Sequence, residues 1–273
     1  TTGGGTLNIS NSVIEVTSND AVGLRLNDST LGSTNAQIAN IANSHIESTG
    51  VAISQNNGEA TIEISDGSVV EGGTYLLNVG AQGKTVLNAK SGSQLIGDVS
   101  VATGGEANLS LATNSSITGA LDNVDSLKLD GTSSWKMTAD SNVQDLDLNG
   151  GTVFVSSPST FSNYQVLTIT NLSANSGTFA LQTDLVNQTG DLISVTGTSA
   201  GSHQLSVYNN GSASVTGAET LTVVETADGI AEFGLTNLVE LGGYEYDLRR
   251  TTANDANWEL FGARKQSSTT SAM

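Results

Sequence analysis

The chain alternates apolar and polar residues in short runs, and these runs recur with variation. Leu7–Ile14 and Ile62–Val70 each carry apolar side chains at alternate positions on both sides of a polar turn. A period of two is typical of β-strands that bury one face. The same strand–turn–strand pattern returns at Leu87–Leu95, Leu109–Ile117, Leu127–Trp135 and Leu146–Phe154. From Ile62 onward the copies begin 18 to 25 residues apart, which indicates a repeat fold.

A single copy of this pattern cannot bury its own apolar face, so neighbouring copies must stack on one another. Stacked strands at about 4.8 Å per rung form a parallel coil, and crossovers between parallel strands are right-handed. At about 20 residues per rung, residues 1–158 would supply about eight rungs. The sequence therefore predicts an all-β protein built as a right-handed parallel β-solenoid.

Turn residues separate the predicted strands. Asn56–Gly58, Asp66–Gly67 and Asn149–Gly151 are rich in residues that tolerate the left-handed backbone of tight corners. The strongest helix candidate, residues 35–44, has apolar residues among small polar ones and lacks the Glu and Lys residues that favour helices. These residues fit a strand–turn–strand rung as well, and we predict no helix.

The pattern changes near Pro158, after which the strands become longer and more regular. The last two, Tyr244–Arg249 and Asn257–Phe261, are spaced as a hairpin with Thr251–Ala256 as its loop. An open stack of strands exposes unpaired backbone groups, so an aromatic hairpin across the end would close the solenoid. We assign this cap to Tyr244, Tyr246 and Leu248 on one strand, opposite Trp258, Leu260 and Phe261 on the other.

The C-terminal part of the chain resembles a known family. The matching segments occur in the family's order, and they are Ser176–Leu185, Gly190–Gly197, Ala200–Leu205, Leu221–Thr226, Val239–Leu248 and Trp258–Leu260. Over residues 160–262 the sequence is similar to the end of the passenger domain of Gram-negative type V autotransporters. The resemblance is to the pertactin-like, AIDA-type adhesin class and includes its autochaperone region.

The resemblance implies a three-faced, right-handed β-helix whose end is capped by the autochaperone region, which promotes folding after export. It also implies export through the periplasm and outer membrane to the bacterial cell surface, with a C-terminal translocator β-barrel in the full-length protein. The chain would then divide into β-helix stem repeats at 1–158, C-terminal rungs with an autochaperone-like cap at 159–262, and a polar tail at 263–273.

Charge narrows the range of partners. The formal net charge is −18, although only 13% of the residues are charged. Nucleic acids and anionic membrane surfaces attract clusters of Lys and Arg, which this sequence lacks. No run approaches the roughly 18 consecutive apolar residues of a membrane-spanning helix. We therefore expect no nucleic-acid partner and no membrane-spanning segment in this chain, and the absence of cysteine excludes thiolate zinc sites.

Two motifs suggest catalysis or metal binding, but each lacks an essential part. Gly197–Gly201 fits the G-x-S-x-G pattern around Ser199, with His203 nearby, but strands flank it where a nucleophile elbow needs a strand and a helix. Asp145–Gly150 begins like a calcium-binding EF-hand loop, but Ser156 stands where that loop needs a bidentate Glu. We predict no catalytic, cofactor-binding or metal site, and no enzymatic activity.

Three other features have both an internal and a ligand-binding interpretation. Trp135 replaces the aliphatic residue of its rung, and we expect it to pack in the core rather than to contact a glycan. His45 and His203 are expected on different rungs, which argues against a shared metal site. Ladders of Asn, Ser and Thr would either stack inside the corners or form hydrogen bonds between neighbouring rods. For any single residue we expect corner stacking.

These observations favour a surface-exposed, non-catalytic adhesin. Its partners would be host surface or extracellular-matrix ligands, identical passengers on neighbouring cells, or both, and the sequence does not identify the residues that contact them. The alternative is a stalk or folding segment of an enzyme passenger, such as a protease, whose catalytic part lies upstream. A third hypothesis is a spacer with folding activity alone.

Overall fold

The computed structural model describes residues 4–18, 20–27, 36–157 and 163–264, with the backbone alone at 174–175 and 263–264. Every regular element in these ranges is a β-strand. Pro158, where the sequence pattern changes, and residues 265–273 of the predicted tail lie outside the described residues.

The N-terminal half contains short strands and two long ones that turn a corner. The first thirteen strands are β1 (Thr6–Ser10), β2 (Val13–Val16), β3 (Val22–Arg25), β4 (Gln37–Ala42), β5 (His45–Ser48), β6 (Val51–Ser65), β7 (Val69–Gly72), β8 (Tyr75–Ala89), β9 (Gln94–Ile96), β10 (Val99–Val101), β11 (Glu106–Leu111), β12 (Ser116–Thr118) and β13 (Leu121–Asp122).

The C-terminal half continues in the same way and ends in longer strands. The remaining strands are β14 (Val124–Asp130), β15 (Ser134–Lys136), β16 (Ser141–Phe154), β17 (Val166–Asp184), β18 (Thr189–Gly190), β19 (Leu192–Val195), β20 (Ser202–Asn209), β21 (Thr220–Thr226), β22 (Glu232–Leu235), β23 (Val239–Leu241), β24 (Tyr244–Arg250) and β25 (Trp258–Arg264).

Three parallel ladders form the faces of a solenoid, because each turn of the chain contributes three strand segments. The first ladder runs through β1, β4, the later parts of β6 and β8, β11, β14, and the middle of β16 and β17. The second runs through β2, β5, β7, β9, β12, β15, the ends of β16 and β17, β20 and β22.

The third ladder runs through β3, the starts of β6 and β8, β10 and β13, and then through the starts of β16 and β17, β19 and β21. Between β13 and β16 side chains make the link: the Leu121 N–H donates to Ser141 Oγ at 3.1 Å, and Asn142 Nδ2 donates to Asp122 Oδ1 at 2.8 Å. The predicted all-β fold, a three-faced parallel β-helix with a C-terminal hairpin, is confirmed.

Rung length varies more than the sequence pattern indicated. The residues in register along the first ladder are Leu7, Ala39, Ile62, Leu87, Leu109, Leu127, Leu146 and Leu172. Leu7 and Ala39 are 32 residues apart, whereas Leu109 and Leu127 are 18 apart. Seven of these positions precede residue 158, against the eight or so expected, because the early rungs are longer than an even spacing allows.

Large apolar side chains from all three faces fill the interior. On the second ladder the inward, buried residues are Ile46, Val70, Leu95, Ile117, Trp135, Val153, Phe179 and Leu205. Burying one such side chain contributes about 1.5–3 kcal/mol. Trp135 is fully buried, and its indole Nε1 donates to the Gly119 carbonyl at 2.9 Å. The expectation that Trp135 packs in the core is confirmed.

Serines stack inside the corner that precedes the second ladder. The Ser12 N–H donates to Ser44 Oγ, and the Ser44 N–H donates to Ser68 Oγ, both at 3.1 Å. Further along, the Ser93 N–H donates to Ser115 Oγ at 3.2 Å. These hydroxyls satisfy backbone donors at a corner where the sheet ladder is interrupted. The corner-stacking interpretation is confirmed for these serines.

Candidate functional site: the C-terminal cap

The parallel order of the third ladder ends at an antiparallel strand. β25 pairs antiparallel with β21, and Leu260 opposes Leu221 while Trp258 opposes Val224. β24 pairs with the other edge of β25, and β23 pairs with β24, both antiparallel. Because β25 occupies the backbone edge of β21, this face of the solenoid does not end in an open strand.

Alternation along the hairpin divides its side chains between two sides. On the side that packs against the solenoid, Tyr246 and Leu260 are fully buried and Trp258 is 8% exposed. Tyr244 and Leu248 are half-buried and pack against the same core. Of the cross-strand pairs expected from the sequence, only Leu248 and Leu260 are directly opposed. Five of the six assigned residues therefore contact the end of the core.

The placement of Phe261 differs from the sequence assignment. It follows Leu260 directly, so its side chain points to the other side of the strand. There the Arg249 guanidinium lies 4.6 Å from the centre of its ring. Arg249 also forms an ion pair with Glu259 at 2.8 Å. Phe261 thus belongs to an outer polar layer of the hairpin and does not close the core.

A tyrosine–carboxylate hydrogen bond ties the hairpin to the loop before β21. The Tyr246 hydroxyl donates to Glu219 Oε2 at 2.6 Å. Oε1 of Glu219 accepts the Thr216 N–H at 2.7 Å, and Oε2 accepts the Gly217 N–H at 2.9 Å. The bond from Tyr246 is the main reason that the pKa of Glu219 is lowered to about 2. Burial, followed by the hydrogen bond to Glu219, raises the pKa of Tyr246.

A column of four rings crosses from the parallel rungs into the cap. The ring centres of Phe179 and His203 are 5.8 Å apart, those of His203 and Phe233 are 5.5 Å apart, and those of Phe233 and Trp258 are 6.0 Å apart. The Arg250 guanidinium lies 4.6 Å from the Trp258 ring. Sequence analysis missed Phe179, His203 and Phe233 as cap residues. The available signal was alternation, since His203 lies two residues before buried Leu205.

The structure gives Ser199 and His203 separate structural partners. The Ser199 hydroxyl donates to Asp228 and accepts the Ala231 N–H at 3.0 Å. Nε2 of His203 lies 3.0 Å from the Ala200 carbonyl oxygen. Ser199 therefore stabilises the turn after β21. The group that accepts its hydroxyl proton is the Asp228 carboxylate, which also accepts the Ser199 and Ile230 N–H groups. This arrangement does not activate the hydroxyl as a nucleophile.

The EF-hand-like segment is a strand. Leu146 and Leu148 are fully buried in β16, and Asp145 Oδ1 accepts a hydrogen bond from Asn171 Nδ2 at 2.7 Å on the next rung. His45 lies on β5 and His203 on β20, seven strands apart along the second ladder. Among the described residues, no three His, Asp or Glu side chains converge on a point that a metal ion could occupy.

A fully buried aspartate ties three segments of the C-terminal half together. Asp191 Oδ1 accepts the Gln165 N–H at 2.8 Å, and Oδ2 accepts the Gln182 N–H at 2.7 Å and the hydroxyl of Ser156. Burial raises its pKa, and these hydrogen bonds oppose the rise. Asp191 thus holds the end of β16, the start of β17 and the turn before β19 together.

Comparison with known proteins finds one family model and several autotransporters that match parts of the chain. Residues 143–262 match the family model named Pertactin. The chain is 43% identical to "Probable autotransporter YcgV" of Escherichia coli K12 over 185 residues, which is 63% of this chain and 19% of that protein. It is 31% identical to "Autotransporter adhesin/invasin TibA" of Escherichia coli O78:H11 over 70% of this chain and 19% of TibA.

Two further matches are more distant. The "Immunoglobulin A1 protease autotransporter" of Haemophilus influenzae is 32% identical over 45% of this chain and 8% of that protein. Among solved structures, the Haemophilus influenzae Hap adhesin aligns with a TM-score of 0.47 and 18% identity, covering 84% of this chain and 33% of that one. The chain spans about a fifth of the length of YcgV and TibA.

The match lies where the cap was found, since residues 143–262 include the aromatic column and the hairpin. No helix of membrane-spanning length and hydropathy occurs in the part of the chain that the structure describes. Autotransporters are exported through the outer membrane to the bacterial cell surface, which is the location expected from the sequence. Residues 143–262 match the Pertactin family model, and the chain is similar to one part of proteins named autotransporters.

Proposed function

We propose that this chain is the C-terminal part of the rod of a non-catalytic adhesin. Its partners would be ligands on host surfaces or in the extracellular matrix, or identical rods on neighbouring cells. Support comes from TibA, which is named an adhesin and invasin and matches 70% of the chain. A rod holds its polar side chains at fixed intervals, so weak contacts can act together along its length.

The observation that carries this proposal is a column of hydrogen-bonding side chains on the outside of the first ladder. Asn8, Asn40, Glu63 and Asn88 are directly in register on β1, β4, β6 and β8. Asn40 Nδ2 donates to Asn8 Oδ1 at 2.8 Å, and Asn88 Nδ2 donates to Glu63 Oε1 at 2.7 Å. The amide and carboxylate groups of these residues can form further hydrogen bonds on the solvent side. They repeat at the spacing of about 4.8 Å between parallel strands.

The experiment combines ligand arrays with sedimentation. The purified chain is applied to matrix-protein and glycan arrays, and its self-association is measured by analytical ultracentrifugation at physiological ionic strength. The test variant replaces Asn40 and Asn88 with Ala. The matched control replaces Thr118, an outward residue of β12 on the second ladder, with Ala. All three residues are half-buried on an outer face. Surface substitutions outside the core usually change stability by less than about 0.5 kcal/mol, so a loss of binding that Thr118→Ala does not show is attributed to the altered surface.

We expect Asn40→Ala/Asn88→Ala to weaken binding or self-association at least several-fold, and Thr118→Ala to leave it unchanged. Equal behaviour of the two variants would remove the first ladder from the contact surface. If the unaltered chain neither binds any array member nor self-associates, the adhesive part lies elsewhere in the passenger.

A second candidate function is a stalk and folding segment of an enzyme passenger. The partial match to an immunoglobulin A1 protease autotransporter favours it, because that named protease contains a segment similar to this one. On this hypothesis the chain binds nothing itself, and deletion of β23–β25 prevents folding of the rungs that precede them. Binding by the purified chain would separate the adhesin proposal from this one.

A further inference from the structure

The imidazole of His203 occupies the centre of the cap. Its side chain is fully buried, with Phe179 of β17 on one side and Phe233 of β22 on the other. Phe233 in turn contacts Trp258 of β25, whose strand closes the third ladder. A change in the charge of His203 therefore affects the packing between the parallel rungs and the hairpin.

The hydrogen bonds of the ring define its tautomer. A carbonyl oxygen can only accept, so Nε2 must carry the proton that is shared with Ala200 O at 3.0 Å. Nδ1 is buried and has no hydrogen-bond partner in the described part of the chain. A second proton on Nδ1 would therefore place a charged donor in an apolar space without an acceptor, which is costly.

The charged groups on the surrounding elements either have other partners or lie on the outer side of their strand. Glu232 of β22 pairs with Arg250 of β24 at 2.8 Å. Asp228, in the turn before β22, binds Ser199, and Glu259 of β25 pairs with Arg249. Asp184 on β17 accepts the Asn187 N–H, and Asp191 before β19 accepts hydrogen bonds from Gln165, Gln182 and Ser156. Glu225 of β21 is exposed and follows buried Val224, so its side chain lies on the outer side of the strand. No ion pair joins His203 to a carboxylate among the described residues.

We propose that His203 makes closure of the C-terminal cap sensitive to protons: the cap is closed around the neutral imidazole, and acidification favours its opening. The apolar rings that surround His203 and the unpartnered Nδ1 provide the mechanism, because an opened cap lets water solvate the imidazolium. The proposal concerns stability of the cap and is independent of what the rod binds.

The direction of the effect follows from linkage. Burial lowers the pKa of His203 below its ordinary value of 6.5. Below pH of about 6.5 the open state therefore binds a proton that the closed state excludes, so stability is complete above that pH and is lost as the pH falls. Each pH unit below about 6.5 raises the opening constant by up to about tenfold, until the lowered pKa of the closed state is reached.

Other titrating groups do not reproduce this signature. Asp191 has a raised pKa, so its contribution to stability increases on acidification, which is the opposite sign. Glu219 has a pKa lowered to about 2, and its contribution is lost only as the pH falls from about 4.5 towards 2. A loss of cap stability on acidification between about pH 6.5 and 5 therefore reports protonation of His203.

The test is hydrogen exchange of the whole chain, followed by mass spectrometry between pH 5 and 7.5 and corrected for the intrinsic exchange rate. Opening of β21, β24 and β25 is compared with that of β11 and β14 in the stem. We expect the opening constant of the cap to rise by up to about fivefold between pH 6.5 and 5.5, with little change in the stem. His203→Phe removes this pH dependence, whereas the matched control His45→Gln, at a 41% exposed histidine, retains it.

A direct titration keeps the proposal testable if His203→Phe does not fold. Nitrogen-15 NMR of the imidazoles in the unaltered chain should show His203 mostly as the neutral Nε2–H tautomer at pH 6.5, where an ordinary histidine is half protonated. A His203 pKa at or above 6.5 in the folded protein would overturn the proposal, since the flanking rings would then be stabilising the cation. Cap opening that is independent of pH, or pH-dependent opening that persists in His203→Phe, would also overturn it.

Discussion

Replacing Trp258 with Ala removes the large side chain at the joint between the hairpin and the solenoid. Trp258 is 8% exposed, its ring centre lies 6.0 Å from that of Phe233, and the Arg250 guanidinium lies 4.6 Å above it. Truncating a buried Trp to Ala costs about 3–5 kcal/mol, and a cation–π contact of this kind contributes about 0.5–1 kcal/mol. The opening constant of the hairpin should rise by roughly 10²- to 10⁴-fold.

The loss should remain local, because each rung of a stacked repeat protein contacts only its neighbours. We expect refolding to slow and the C-terminal rungs to fray, while the rungs up to Val155 stay folded once formed. Limited proteolysis of the variant should begin between residues 210 and 243, where the unaltered chain resists cleavage. The matched control is Tyr208→Ala, which removes an aromatic residue of β20 that is 48% exposed and should change stability by less than about 0.5 kcal/mol.

Two results would refute this reasoning. Unchanged refolding rate and digestion pattern in Trp258→Ala would mean that the hairpin does not close the solenoid. Equal fraying in Trp258→Ala and Tyr208→Ala would mean that the effect reflects loss of any aromatic side chain in this region and not loss of the joint.

Four further predictions concern other groups. Tyr246→Phe should lower the free energy of unfolding by about 1–3 kcal/mol, because it removes the hydrogen bond to Glu219. This difference in the free energy of unfolding should narrow as the pH falls from about 4.5 towards 2, because Glu219 becomes protonated over that range. Asp191→Asn replaces one carboxylate oxygen with an NH2 group that faces a backbone N–H, so urea unfolding should show a loss of about 1–3 kcal/mol. An unchanged urea midpoint would contradict this role of Asp191. Ser199→Ala should leave adhesion and aggregation unchanged, and an esterase or protease activity that disappears in this variant would show that the chain is a hydrolase. Self-association should strengthen as salt rises from low concentration to physiological ionic strength, where the screening length is about 8 Å, because the net charge of −18 opposes contact between rods. If sedimentation shows that self-association weakens over this range, rods attract one another through opposite charges.

The repeating strands could be predicted because each rung carries its own signal. Leu109, Leu127 and Leu146 begin three copies of the pattern and lie in register on neighbouring strands. The two strands of the hairpin carry large apolar residues at alternate positions, Tyr244 and Tyr246 on one and Trp258 and Leu260 on the other, and the loop between them has a length typical of a hairpin. Local periodicity therefore fixes which segments are strands and which of their faces is buried.

Contacts between distant positions could not be predicted in the same way. Ser156 and Asp191 are 35 residues apart, and Glu219 and Tyr246 are 27 apart. Since rungs differ in length, sequence separation does not determine which polar groups meet. Phe261 shows a second limit, because adjacent residues of a strand point to opposite sides and the inward side depends on the register with β21.

The central claim is that an antiparallel strand closes the third parallel ladder, and a cysteine cross-link tests it most directly. The chain has no cysteine, so Thr222→Cys/Glu259→Cys introduces one pair at directly opposed positions of β21 and β25. Opposed Cα atoms in antiparallel strands lie about 4.5–5.5 Å apart, within the range of a disulfide. We expect this pair to form a disulfide in the folded protein, and Thr222→Cys/Asp247→Cys, which spans an additional strand, to remain reduced. A disulfide in the second pair but not in the first would contradict the account.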